Sequence, residues 1–157
     1  MISLLPAFHE TIVAPQAGAT IYQALLGITS NKPFLQADEK NLYFNGWVKE
    51  DRFRISLRQQ RANHYLPLVL GQIESTSSGS ILLVDYKLVP TTRLLLTLWT
   101  IILTLGSITV SFQSKNILYL LGGAVIILLI HAIVWSNFKL QLKSTRDALH
   151  HVLSSLR

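Results

Sequence analysis

The chain has 157 residues, half of them hydrophobic, and a formal charge of +6, which leaves room for one compact domain and little more. Cysteine is absent, excluding disulfide frameworks, thiolate zinc sites and cysteine nucleophiles. Residues 1–90 hold eight Lys/Arg against seven Asp/Glu, and residues 91–157 hold six against one, so the basic excess borders the apolar segments and is no nucleic-acid footprint.

The opening MISLLPAFHE has no basic leader and a short apolar run before Pro6, so no secretory signal is expected and the first 90 residues should stay in the cytosol. FHETIVA reads as a strand, with His9 and Glu10 on opposite faces. ATIYQALLGI reads as a helix with Ile21, Leu25 and Ile28 on one side. LYFNGWV is a second strand, in which Trp47 is expected to fill the core and Gly46 to relieve crowding or form a bulge. A turn over 49–51 leads to RFRISLRQQR, where Phe53, Ile55 and Leu57 alternate with Arg52, Arg54 and Arg58, the period of a half-buried strand. YLPLVLGQIE and SILLVDYKLV form a further pair around a Ser/Thr-rich turn at 75–79. Pro67 marks a strand start or an edge, and Gly71 a point of crowding or a bulge.

Two uncharged runs follow, LLLTLWTIILTLGSITVSFQS and NILYLLGGAVIILLIHAIVWSNF. A helix rising about 1.5 Å per residue needs about 20 residues to cross about 30 Å of hydrocarbon, and both runs suffice. The short link at 113–116 makes them an antiparallel hairpin with spans over 94–113 and 117–137. Lys87, Arg93, Lys139, Lys143 and Arg146 flank its base and only Lys115 its tip, predicting both termini in the cytoplasm. His131 lies inside the second span. The hydroxyls of Thr97, Thr100, Thr104, Ser107 and Ser111 make one stripe on the first span. Folding the hairpin about its tip puts His131 level with Thr97, so a structural bond between these two is preferred to a proton relay, with Gly122 and Gly123 allowing close helix approach. Beyond the spans, Leu149, Val152, Leu153 and Leu156 repeat at helical spacing and should pack on the sheet. His150 and His151 point about 100° apart, so they make a poor metal pair.

The expected fold is α+β: an antiparallel β-meander with N- and C-terminal helices and an inserted transmembrane hairpin. It divides into a cytosolic β-rich domain at 1–90, the hairpin at 91–138 and a cytosolic amphipathic helix at 139–157. Phe44, Gly46, Val48, Phe53, Ile55, Asn63, Pro67, Gly71 and Ile73, followed by the hairpin, resemble a pattern in uncharacterised two-span bacterial membrane proteins. That resemblance implies the inner membrane and brings no activity with it. The element order is also similar to the pleckstrin-homology-like and, more closely, the helix-grip folds.

Three functions are compatible with these features. The first is a non-enzymatic anchor, scaffold or accessory subunit with a protein partner or a second copy. The second is a lipid- or apolar-ligand-binding domain, with a pocket lined by Phe44, Trp47, Ile55 and Leu70. The third, an enzyme, is disfavoured: there is no phosphate loop, nucleophile elbow or metal motif, no catalytic set and no cofactor signature, and only His9, Glu10 and His64 merit inspection. Arg52, Arg54, Arg58 and Arg61 form either a solvated face or a contact for lipid headgroups or an acidic partner. Nucleic acid is not expected, because the domain carries a net charge of only +1.

Overall fold

A computed structural model of the chain describes residues 5–30, 42–59 and 63–156. Its elements run β1 (Ala7–Ala14), α1 (Gly18–Ile28), β2 (Thr29–Ser30), β3 (Phe44–Val48), β4 (Arg52–Leu57), β5 (Pro67–Thr76), β6 (Gly79–Leu88), α2 (Pro90–Ser114) and α3 (Leu118–Ser154). The strands form one sheet in the order β1-β6-β5-β4-β3-β2. All pairs are antiparallel except β2 with β3. The alternating strands thus sit where their period puts them, as an antiparallel meander. Two features differ from expectation: the first strand closes beside the last, and β2 adds a two-residue parallel edge. The result is an α+β fold with a six-stranded mixed sheet and three helices.

Alternation sorts each strand into two faces. Phe44, Phe53, Ile55, Val69, Ile73, Leu82, Val84, Tyr86 and Leu88 point to one side and are buried. They pack with Ile21 and Leu25 of α1 and with Leu149, Val152 and Leu153 of α3 in one cluster. Fully burying such side chains contributes roughly 1.5–3 kcal/mol each. Gly71 belongs to this inner face because a Cβ there would collide with the ring of Phe53, its cross-strand neighbour. Trp47 is a correction. It lies one residue out of phase with Phe44 and is 38% exposed on the opposite face, with Lys49 Nζ 5.4 Å from its ring centre.

The helix runs unbroken through the division expected at 138/139: α3 is one helix of 37 residues, about 55 Å long at helical rise. The segment KLQLKSTRDALHH contains neither glycine nor proline, so nothing interrupts the hydrogen-bond ladder. One stripe serves both halves: Gly123 and Val134 are buried in the hairpin half, Thr145, Leu149 and Val152 in the sheet half, and Phe138 between them.

Strand β6 ends at Leu88, and the chain turns at once into α2 with Pro90 in the first turn, where its missing N–H is harmless. At the tip Lys115 takes a left-handed conformation, and Asn116 Oδ1 accepts from Leu118 N at 2.9 Å, starting α3. Gly123 permits close approach: a Cβ built there would meet the hydroxyl and Cβ of Ser107. Gly122, by contrast, faces open space. Both α2 and α3 are long and apolar enough to cross a membrane, yet only 6% and 11% of their most apolar windows are buried.

Candidate functional site

The arginines are spread along the sheet rather than gathered. Arg52 and Arg54 lie on the outer face, exposed, in rows that read Trp47–Arg54–Leu70–Asp85–His9 and Arg52–Gln72–Leu83–Thr11 across the ladder. Counted along β6, Arg54 is level with Asp85, three residues or about 10 Å from the exit to α2, and Arg52 about 17 Å. Arg52 Nε meets Asp51 Oδ2 at 3.2 Å, a surface pair worth little. Arg58 follows the end of β4, half-buried, with its backbone N–H bonded to Tyr43 O. Arg61 lies outside the described residues. Asp85 tempers the positive charge of this face. Burial pushes its carboxyl up, but hydrogen bonds from Lys87 and His9 outweigh that and leave it lowered.

On the inner side an unexpected cluster joins the sheet to α3. Glu10 sits on the buried face of β1 with its side chain 11% exposed. Arg146 Nε lies 3.0 Å from both carboxylate oxygens and Nη2 lies 2.7 Å from Oε1. His150 Nε2 is 2.9 Å from Oε1, and the Tyr86 hydroxyl donates to Oε2 at 3.4 Å. The Arg146 guanidinium also stacks 5.6 Å from the Phe8 ring centre. Burial pushes the Glu10 carboxyl up, yet the hydrogen bonds and charges of Arg146 and His150 together hold it below the usual range. Burial and the Glu10 charge push the Tyr86 hydroxyl strongly upward. A carboxyl on the inward side of a strand was the sequence signal for this clasp, because buried acids are almost always paired. The partners, 76 to 140 residues away, carried none.

His131 and Thr97 do not bond to each other, which corrects the interhelical pair expected from depth. His131 Nδ1 donates to Ile127 O at 3.0 Å and Thr97 Oγ1 to Arg93 O at 2.9 Å. Thr100, Thr104 and Ser107 likewise return their hydroxyls to carbonyls four residues back, and Ser111 bonds Asn116 O. The intrahelical acceptor is always within reach, whereas a partner across the gap is not.

The pocket expected between Phe44, Trp47, Ile55 and Leu70 is not formed. Phe44 and Ile55 are fully buried in the packed core, while Trp47 and Leu70 fall on the other side of the sheet by alternation. A different cavity lies at the junction of domain and hairpin. This groove, of about 530 Å³, runs between α2 and α3, walled by Leu95, Leu96, Trp99, Leu103, Ile126, Ile130 and Val134, with His64, Tyr65, Thr91 and Thr92 at one end. Its volume is that of a small-ligand site.

The polar end is built by the loop before β5. Asn63 Oδ1 accepts from Tyr65 N at 3.0 Å, closing a local turn. Thr92 Oγ1 donates to His64 O at 2.7 Å, fastening that turn to α2. Gln59 Nε2 reaches Gln141 Oε1 at 3.0 Å, tying the end of β4 to α3. The loop is thus held over the groove by both helices.

No family model matches the sequence, and no curated protein does. Among solved structures, the Polyketide_cyc-like protein of Corynebacterium glutamicum, determined by solution NMR, aligns over 96% of this chain and 97% of its own at 11% identity and a TM-score of 0.32. A likeness of that degree transfers neither ligand nor activity.

Proposed function

We propose that this chain is a two-span protein of the bacterial inner membrane, both ends cytoplasmic, whose helix-grip-like domain stands on the bilayer and binds a lipid or apolar ligand where it meets the hairpin. The junctional groove carries this reading, because its walls are apolar and its polar groups gather at one end. Membrane insertion is supported by the exposure of the hairpin's sides: Leu94, Leu105, Leu128 and Leu129 are each 58–69% exposed, a surface that water would penalise and lipid would not. Arg93, Lys139 and Lys143 at the base favour the cytoplasmic side for both ends. In this reading Glu10, the inward carboxylate bonded by Arg146, His150 and Tyr86, serves to join the sheet to α3.

A second reading, as anchor, scaffold or accessory subunit, is favoured by the outer face of the sheet. No described helix covers it, and it exposes Val13 (76%) and Leu83 (40%) beside Arg52 and Arg54. Purification after mild extraction separates the two. Phospholipid retained through purification, without a companion chain, is expected; a stoichiometric protein partner without lipid would favour the anchor.

A further inference from the structure

The groove has the dimensions of one lipid tail. From Thr92 to Leu103 its α2 wall rises by eleven residue steps, about 16 Å at helical rise, close to half of a hydrocarbon core of about 30 Å. Along this length the lining changes character once. Thr91, Thr92, His64 and Tyr65 occupy the end beside the sheet, and every residue beyond them is apolar. The Thr92–His64 bond holds the polar residues of that end in place, and Asn63 and Gln141 both bond Gln59 nearby. Leu95 and Trp99 are about half exposed, at 52% and 50%, so the groove is open along its side. Among the described residues, no Lys, Arg, Asp or Glu lines it.

We infer that the groove binds one acyl chain of an inner-leaflet lipid, entering sideways between α2 and α3, with its polar head group against His64, Tyr65 and Thr91. This rests on the membrane and ligand-binding reading above and specifies its ligand. The polarity gradient selects an amphiphile over a uniformly apolar compound, whose far end would have to desolvate the His64 and Thr91 groups unpaired.

The test uses the full chain held in amphipol, because single-chain detergents would compete. Palmitoyl lysophosphatidylcholine is titrated in and complexes are counted by native mass spectrometry. A one-to-one complex is expected. Leu95→Trp, which places an indole in the groove from a half-exposed position, should weaken it about tenfold or more, a loss of about 1.4 kcal/mol. Leu128→Trp is 69% exposed outside the groove and should leave binding unchanged. Equal binding by both variants would overturn the assignment. A parallel titration with pyrene distinguishes the two levels. If pyrene binds, is lost in Leu95→Trp and is not displaced by the lysolipid, the ligand-binding reading stands and the acyl-chain inference fails. If neither probe gives a Leu95→Trp-sensitive complex, both fail.

Discussion

Phe138→Ala is expected to destabilise the protein by about 3–5 kcal/mol, the usual range for emptying a buried aromatic site. The ring is 1% exposed and belongs to the same cluster as Leu88, Leu96 and Val134. It therefore lies where the sheet core, the start of α2 and the middle of α3 converge. Because α3 is continuous, Phe138 couples the two halves of the molecule, and its removal should loosen the hairpin base along with the sheet. Chemical unfolding of the amphipol-held protein, followed by near-UV circular dichroism, provides the measurement. Leu140→Ala, two residues on and 66% exposed, should remain within about 0.5 kcal/mol of wild type. A Phe138→Ala loss below about 1 kcal/mol would mean that hairpin and domain share no core.

Breaking the Glu10 clasp is expected to produce the second-largest effect, with a distinct pH signature. Arg146→Ala should cost about 1–2 kcal/mol, the value of a charge-assisted hydrogen bond reduced for a guanidinium that is 45% exposed. The direction with pH follows from the lowered Glu10 carboxyl. Its folded pKa lies below the unfolded value of about 4.3, so in acid the unfolded chain binds the extra proton. The stabilisation is complete above the unfolded pKa and is lost as pH falls through the folded one. Asp85 is shifted the same way, so the wild-type profile alone does not isolate the clasp. The difference between wild type and Glu10→Gln, measured by thermal unfolding between pH 3 and pH 7, should shrink as the pH drops. A difference that is constant across that window would remove the clasp from the account.

Local order was legible in the sequence where a period and a breaker coincided. The arginine strand, the hairpin turn over 49–51, the start of β5 at Pro67 and the tip of the apolar hairpin all follow from alternation, proline and run length. Errors arose where identity and phase disagreed. Trp47 is bulky and apolar, which suggested core, but its register with Phe44 sends it outward, and register prevails in a pleated sheet. The Phe44–Trp47–Ile55–Leu70 pocket failed for the same reason, since it mixed odd and even positions. The division at 138/139 was drawn from a change of composition, and the helix runs through it because no residue there stops it. The groove was not legible at all. It depends on the loop carrying Asn63 and His64 being laid against Thr92 and Gln141, contacts 28 to 82 residues apart in the chain, and neither Thr nor Gln announces such a partner.

Cysteine scanning tests the hairpin's passage through the bilayer most directly, because the native chain has no cysteine to mask. Ser78→Cys in the β5–β6 turn, Ser114→Cys at the hairpin tip and Ser154→Cys at the end of α3 are all exposed positions, and each is treated in intact cells with a maleimide that cannot cross the inner membrane. The account predicts labelling of the Ser114 position alone, with the other two reacting only after the cells are permeabilised. Labelling at Ser78 or Ser154 in intact cells, or protection of Ser114, would contradict it.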